Sequence, residues 1–500
     1  MPGLTANLQL LSPEFALAGL ALLVLAVDLV VPQNQKNLLG WLSIAGLLGL
    51  IALSLKMLWG ENETLYGGLL AVDAFSLFFK IFFLGLGIFI ILSSMDYVEK
   101  NLTSRGEFYG LILFSILGMN VMAQSRELLT AYISLELLSF CLYVLAAYAR
   151  NEAKSNEAGL KYIIIGAFSS AVLLYGVSMV YSTLGVTQFA SISAALANTG
   201  DVSPALWVGM ALILVGLGFK LAAVPFHMWA PDVYEGAPFP VTAYLAIGSK
   251  AAAFALVLRL FSEGFLPAAD QWRIVVAVMA AITMLTGNLV ALAQHNIKRL
   301  MAYSSVGQVG IILTGVAALS ADSILPASGV MLYLVGYSLT NMLVFAGLIS
   351  FFNMTGREDI SAFRGLADGQ PFLAATIAIG LFSLGGMPIF AGFTIKFYLF
   401  TALASQGLLW LAGLAIFSSL ISLYYYLQVI RQMYIRPVEE VAEAIAGEEV
   451  YIPTGPEVST SPLILMVQSV SLVGVFWVGV SPAPFLTVID AASHAILPGL

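Results

Sequence analysis

Four ionisable side chains stand inside long apolar stretches of the sequence: Glu136, Lys220, Lys250 and Lys396. Burying such a group at the depth of a lipid bilayer costs from about 2.5 to over 10 kcal/mol, so sequences rarely keep one without a partner or a task. A carboxylate stabilises a nearby ammonium, whereas an amine that loses this partner away from water gives up its proton more readily. The four residues therefore indicate a path for protons, in which Glu136 loads or unloads Lys220.

Two of the lysines lie next to breaks in the apolar pattern. Lys220 comes five residues before Pro225, and Lys396 follows a glycine pair and Pro388. Proline removes a backbone hydrogen bond, which is tolerated inside a membrane span where the freed backbone faces protein or a water-filled cavity. Water admitted at such a break would hydrate the ammonium and deliver a proton to it.

Three further ionisable residues have both a structural and a functional interpretation, and the sequence leaves both open. Lys80 lies seven residues after Asp73 and could serve transport or a structural ion pair. His227 follows the Pro225 break, and His295 lies at a predicted helix end. Either imidazole could relay protons or act as a hydrogen-bonded structural group.

Some polar groups are expected at the edges of the membrane instead. Glu14 and Asp28 lie near the two ends of the first predicted helix, where side chains reach interfacial water. Three consecutive tyrosines, residues 424 to 426, lie near another helix end and predict an interfacial aromatic belt.

The elements that position these residues are membrane helices. The chain has 500 residues, of which 60% are hydrophobic and 10% charged, against about 25% charged in an ordinary soluble domain. Apolar runs of about 20 residues are long enough to cross a bilayer. The sequence therefore predicts an all-α polytopic membrane protein with about fourteen spans, near residues 10–30, 38–58, 69–93, 106–123, 128–148, 161–185, 205–225, 240–261, 271–293, 299–319, 325–352, 372–404, 408–435 and 461–488.

The basic residues outside these spans are unevenly shared between the two sides. Even-numbered loops hold four: Lys56, Arg126, Arg259 and Arg273. Odd-numbered loops hold twelve: Lys36, Lys100, Arg105, Arg150, Lys154, Lys161, Lys298, Arg299, Arg357, Arg364, Arg431 and Arg436. Because Lys and Arg are retained on the cytoplasmic side, we expect the odd loops in the cytoplasm and both termini outside.

Composition also argues against several other classes of protein. The net charge of −8 provides no basic surface for nucleic acid. Cys141 is the single cysteine, which makes an internal disulfide impossible and an iron–sulfur cluster unexpected. The three histidines, His227, His295 and His494, have no metal-ligand spacing, and neither GxGxxG nor a P-loop occurs. The first apolar segment lacks a basic flank and a small-residue cleavage site, so we expect it to be retained.

Three segments resemble the antiporter-like subunits of respiratory complex I. They are Lys220 to Thr242 (KLAAVPFHMWAPDVYEGAPFPVT), Asn296 to Gln308 (NIKRLMAYSSVGQ) and Pro388 to Lys396. Two features resemble those of the N-type member of this family, also called subunit 2. The chain ends soon after its last span, and position 396 is a lysine rather than a glutamate.

The resemblance implies a division of the chain and a role for each buried charge. It implies two five-helix repeats of inverted topology, each with one broken helix, at residues 101–265 and 266–436. Three helices precede them at 1–100, and an acidic loop and a last helix follow at 437–500. Glu136 would be the carboxylate partner of Lys220, Lys250 the central relay and Lys396 the terminal proton site.

The resemblance also implies a function, cofactors and partners. The chain would be a proton-translocating subunit of an NADH-quinone oxidoreductase, with no redox chemistry or cofactor of its own. NADH, FMN, iron–sulfur clusters and quinone are expected in partner subunits, beside further antiporter-like subunits in a bacterial cytoplasmic or a thylakoid membrane. A subunit of a multisubunit sodium/proton antiporter is the alternative, and a membrane scaffold without transport is a third possibility.

Overall fold

The computed structural model describes residues 3–102, 104–198, 203–435 and 460–497. The predicted acidic loop, residues 436–461, lies almost wholly outside the described residues. Apart from a short hairpin, β1 and β2, the described chain is built from helices. The hairpin strands are Glu63–Leu65 and Leu70–Val72, paired antiparallel.

The helices of the first half lead into the first broken span. Their bounds are α1 Leu4–Leu10, α2 Ser12–Val30, α3 Asn37–Leu58, α4 Ala74–Asn101, α5 Arg105–Gln124, α6 Leu128–Ala146, α7 Ala153–Leu184, α8 Phe189–Asn198, α9 Pro204–Leu221, α10 Trp229–Gly236, α11 Phe239–Tyr244 and α12 Lys250–Arg259. Two π-helical segments, Leu245–Ser249 and Leu260–Gly264, flank α12 and make one continuous span with it and α11.

The second half continues in the same manner. Its helices are α13 Ala269–Ala291, α14 Ile297–Ala317, α15 Leu325–Thr355, α16 Leu366–Gly369, α17 Pro371–Gly385, α18 Ala391–Ser405, α19 Leu409–Ile435, α20 Pro462–Val480 and α21 Ala483–Ile496. Short 3-10 turns occur at Gln33–Gln35, Leu266–Ala268 and Ile360–Phe363.

Thirteen helical stretches in the described residues are long and apolar enough to cross a membrane. The pair α17 and α18 occupies the remaining predicted span as two shorter apolar helices. The prediction of an all-α, multi-pass membrane protein with about fourteen spans is therefore confirmed.

The span that carries Lys250 lies at the centre of the bundle, together with α14 and α15. In an 18-residue apolar stretch of Phe239–Gly264 every residue is buried, and in the corresponding stretches of α14 and α15 the buried share is 94% and 89%. By contrast, only 33% of the residues are buried in the corresponding stretches of α2 and α20. Peripheral helices present large apolar side chains such as Ile133 and Phe168 outward, as a lipid-facing surface requires.

The first predicted break separates α9 from α10. Ala222 takes a left-handed conformation, with φ of 59°, directly after α9. The carbonyl of Gly218 accepts from the Ala223 amide at 2.8 Å, and the carbonyl of Phe219 accepts from the Trp229 indole at 2.9 Å. Backbone groups freed by the break are thus satisfied within the protein.

The second predicted break separates α17 from α18. Gly386 has a φ of +89°, which ends α17 in a left-handed turn. The Gly392 amide then donates to Ser383 Oγ at 3.0 Å. The backbone approaches so closely that a Cβ on Gly392 would lie 1.6 Å from the Ser383 carbonyl oxygen. Only glycine fits at this position.

Gly392→Ala should therefore destabilise the protein, by about 1–3 kcal/mol or more, because the crowded break has to open. The measurement is the midpoint of thermal unfolding in detergent. Gly413→Ala is the matched control, since nothing lies within 4 Å of its Cβ position in α19. Equal midpoints for the two variants would contradict the close approach.

Two expectations for the membrane edges are wrong. Glu14 is 6% exposed, because α5 packs along α2 and its last residue, Gln124, donates to the Glu14 carboxylate; the Lys80 amine of α4 lies 2.6 Å from the same group. Tyr425 and Tyr426 are fully buried, because α19 turns this face towards α13 and α14 and leaves only Tyr424 exposed. The other acidic group, Asp28, pairs with Lys36 at 2.8 Å.

Candidate functional site: a row of buried lysines

Glu136 and Lys220 lie near each other without a direct ion pair. Lys220, at the end of α9, is 6% exposed, and its amine donates to Ser139 Oγ and lies 3.4 Å from the Tyr143 hydroxyl. Glu136 Oε1 accepts from Ser170 Oγ at 2.5 Å. Because Glu136 and Ser139 are three residues apart on α6, they share a helix face. Ser139 therefore links the amine to the face that carries the carboxylate.

Aromatic rings fill the interval from Lys220 to Lys250. The Lys220 amine lies 5.9 Å from the centroid of Tyr162, which stacks on Trp229 at 4.5 Å. Trp229 lies 6.3 Å from Tyr234, and the Lys250 amine lies 5.7 Å from the Tyr234 centroid. This ring stack, Tyr162, Trp229 and Tyr234, attracts cations through its faces. It contains no chain of hydrogen bonds between the two amines.

Lys250 lies at the junction of α12 with a π-helical segment, a rare geometry that often marks functional sites. The residue is 1% exposed, and its amine donates to Ser305 Oγ at 2.6 Å. The adjacent Ser304 shares a hydrogen bond of 2.5 Å with the Tyr426 hydroxyl. The Lys250 amine therefore contacts a part of α14 that carries hydroxyl groups.

Lys396 lies in α18, four per cent exposed, and donates to the Leu384 carbonyl oxygen at 2.8 Å. The break after α17 leaves this carbonyl free to accept it. Gln308 of α14 donates to the same oxygen at 3.2 Å and accepts from the Tyr333 hydroxyl. Hydroxyl and amide groups thus line the interval from Lys250 to Lys396, in contrast to the ring stack before it.

The two predicted histidine relays are not joined to this row. His227 lies in the first break, 7% exposed, and its Nδ1 has no hydrogen-bond partner. His295 is exposed between α13 and α14, where its backbone carbonyl accepts from the Ile360 amide at 2.9 Å. The structure brings Glu136, Lys220, Lys250 and Lys396 into one row, and neither imidazole is hydrogen-bonded to a member of that row.

A charged cluster holds the far end of the first broken helix. On α10, Asp232 pairs with Lys161 at 2.6 Å and with Arg299 at 2.9 Å. Glu235 pairs with Arg299 at 2.9 Å and with Lys154 at 3.0 Å. These groups line an open cavity of about 170 Å³. The cluster fixes α10 against α7 and α14 and keeps its end accessible to water.

Sequence reasoning missed the groups that contact the lysines. Ser139 and Ser305 accept hydrogen bonds from Lys220 and Lys250, and Gln308 and Tyr426 form hydrogen bonds in the interval between Lys250 and Lys396. A signal existed for three of them, because Ser305 and Gln308 stand in a conspicuous motif and Ser139 shares a helix face with Glu136. Nothing in the sequence singles out Tyr426 from its neighbours.

The region that contains all four buried charges, residues 125–422, matches the family model described as NADH:quinone oxidoreductase/Mrp antiporter, TM. The chain belongs to this family. The match covers more than half of the sequence and begins just before α6. The N-terminal helices α1 to α5 lie outside it.

Relatives within the family match nearly the whole chain. A protein of Moorella thermoacetica, described as NADH-quinone oxidoreductase subunit N, is 41% identical over 479 residues, 96% of this chain and 97% of the relative. A protein of the same description from Desulforamulus reducens is 39% identical over 491 residues, 98% of this chain and 99% of the relative.

Two solved structures share the fold. A chain of respiratory complex I from Thermus thermophilus with bound aureothin has a TM-score of 0.78 and 31% identity, over 96% of this chain and 99% of the other. A chain of the Mrp complex from Dietzia sp. has a TM-score of 0.82 and 20% identity, over 99% and 98%. The second likeness concerns the fold alone.

Proposed function

We infer that this chain is a proton-translocating membrane subunit of an NADH-quinone oxidoreductase of the complex I type. Electron transfer takes place in other subunits, which hold NADH, FMN, iron–sulfur clusters and quinone, and it changes protonation along the row of lysines here. The observation that carries this inference is the buried row itself, which consists of three lysines that are at most 6% exposed and one half-buried glutamate. Its place in a chain about 40% identical to proteins named subunit N supports the same function.

The geometry suggests how the first step works. A buried ammonium is costly unless a negative charge or hydrogen-bond acceptors compensate it. Glu136 and Ser139 provide this compensation to Lys220, so a displacement of the carboxylate weakens the hold on the proton. The proton then leaves the Lys220 amine, and the neutral amine stays hydrogen-bonded to Ser139.

The later steps differ because the surroundings differ. Lys250 receives the proton when water bridges the interval that the ring stack separates, and Ser305 holds its amine in place. From there hydroxyl groups, with water where it enters, lead to Lys396 at the second break. Glu136, Lys220, Lys250 and Lys396 are the proposed proton-carrying residues, and His227 and His295 are proposed only as side entries to this row.

The arrangement in the membrane is part of the proposal. The bacterial relatives support a bacterial cytoplasmic membrane, and the uneven sharing of Lys and Arg supports an orientation with both termini on the outer side. The charged cluster on α10 would then face the cytoplasm, where protons enter. The proposed repeats, residues 101–265 and 266–436, each contribute one broken helix and one lysine beside it, Lys220 and Lys396.

A sodium/proton antiporter subunit shares this fold, but the lysine row favours protons. Amines provide no ligands for sodium, which prefers carboxylate and carbonyl oxygens. Likeness to the Mrp chain is at 20% identity and carries the fold only. We therefore keep proton translocation driven by electron transfer as the function.

The test is to purify the complex through a tag on this chain and reconstitute it in sealed vesicles. NADH addition should acidify one side, with iron–sulfur subunits copurifying and with no dependence on sodium. A protonophore, which abolishes the pH difference and accelerates NADH oxidation, is the control. A set of membrane subunits without redox centres, exchanging sodium for protons, would contradict the inference.

A further inference from the structure

A second buried carboxylate–amine pair lies outside the lysine row. The Lys80 amine lies 2.6 Å from Glu14 Oε1, and Gln124 Nε2 donates to the same oxygen at 2.5 Å. Lys80 is 1% exposed, Glu14 6% and Gln124 0%. The three residues come from α4, α2 and α5, and all precede the family match at residues 125–422.

The hydrogen bonding of this pair is incomplete. Glu14 Oε2, Gln124 Oε1 and the Lys80 amine are all buried without a partner of hydrogen-bond geometry. A buried polar atom left unpaired costs about 1–3 kcal/mol, so native proteins keep few of them, usually where water enters or a function requires it. Three such atoms around one ion pair indicate a site that admits a further hydrogen-bonding group.

A neighbouring ion cluster at the same end of α4 differs from this pair, because its charged groups have their hydrogen-bond partners. Arg259 donates to both carboxylate oxygens of Asp73 at 2.8 Å, to Glu263 at 2.9 Å and to the Ala123 carbonyl at 2.9 Å. Arg259 is fully buried, and each of its three guanidinium nitrogens donates a hydrogen bond. Because guanidinium cannot lose its proton in proteins, whereas ammonium can, the two sites differ in chemistry as well as in completeness.

The pair also lies close to one membrane surface. Glu14 is the third residue of α2, Gln124 is the last of α5, and Lys80 is the seventh of α4. At 1.5 Å per residue the lysine is about 10 Å from the end of its helix. All three helix ends meet at the side that the basic residues assign to the outside.

We propose that Glu14 and Lys80 form a second proton-exchange site, which passes protons between this chain and water on the outer side. In the transfer, an N–H bond of the Lys80 ammonium breaks and an O–H bond forms on Glu14 or on a water at Glu14 Oε2. The proton leaves as hydronium, and the neutral amine regains a proton from within the protein. The proposal rests on the proposed proton translocation.

The decisive variant is Lys80→Arg in the whole complex, reconstituted in vesicles. Arginine keeps the charge and the pairing with Glu14 but does not release a proton. We expect assembled complex and NADH oxidation at wild-type levels, with a loss of protons moved per NADH oxidised. Pumping at the wild-type ratio would overturn the proposal and assign the pair to structure.

The double variant Glu14→Gln with Lys80→Met covers the case in which arginine does not fit. It removes both charges and keeps the shapes, so a structural pair would tolerate it, with normal assembly and normal pumping. We expect assembly with a loss of pumping. Normal pumping, or failure of both the Lys80→Arg complex and the double variant to assemble, would overturn the proposal.

Two parallel variants separate this proposal from the general function. Lys36→Arg is the matched control, because Lys36 forms a similarly buried pair with Asp28 at 2.8 Å at the opposite end of α2; it should leave pumping unchanged. Lys220→Arg should lose pumping. Loss in Lys220→Arg with none in Lys80→Arg would sink this proposal and leave the proposed function standing.

Discussion

Lys220→Met is expected to reduce proton pumping by about tenfold or more, because it removes a side chain that transfers protons. The variant complex should still assemble and contain all redox centres. Methionine has a similar length and no charge, so it fits the buried position of Lys220 and is favourable there. The measurement is the initial rate of NADH-driven acidification in sealed vesicles, divided by the rate of NADH oxidation with a protonophore present.

The control for this variant is Lys56→Met, since Lys56 is exposed near the end of α3. It should pump as the wild type does. Glu136→Gln should resemble Lys220→Met, because it removes the charge that compensates the ammonium. Wild-type pumping by an assembled Lys220→Met complex would remove Lys220 from the path.

Arg259→Met is expected to have the largest effect on stability. It leaves the buried carboxylates of Asp73 and Glu263 without their common partner, and breaking a buried ion pair in this way costs about 3–5 kcal/mol. The amount of intact complex in a native gel and the midpoint of thermal inactivation in detergent should both fall.

Lys100→Met is the control for the Arg259 variant. Lys100 forms a pair with Asp96 at 3.2 Å, but its side chain is 55% exposed, and exposed pairs contribute about 0–1 kcal/mol. Its midpoint should stay near that of the wild type. Similar midpoints for the two variants would show that the Arg259 cluster adds little to the fold.

The fold could be predicted from the sequence because the bilayer leaves few choices. Every backbone group in hydrocarbon has to be paired, so long apolar runs become helices and their number can be counted. Pro225 and Pro388 marked both breaks for the same reason. The missed detail is local, since the sequence predicted one last span at 461–488 where α20 ends at Val480 and α21 begins at Ala483.

The candidate site could be predicted only in part. A lysine in an apolar run is unusual, so Lys220, Lys250 and Lys396 could be identified from the sequence without knowledge of their contacts in the fold. Serine and tyrosine are common in membrane helices, so their presence does not indicate a site. Only the tertiary packing determines that Ser305 and Tyr426 lie close to the row of lysines. Nearness to a helix end was misleading for Glu14, because the sequence does not say which end another helix covers.

The ring stack between Lys220 and Lys250 has a consequence for a membrane that stores energy as voltage. A row of exchangeable groups wetted along its whole length would let protons run back and discharge the membrane. The slowest step along such a row limits the rate at which protons flow through all of it. On the proposed proton path, we therefore expect Tyr162, Trp229 and Tyr234 to hold back a leak, and we expect protons to move quickly through the hydroxyl-lined interval to Lys396.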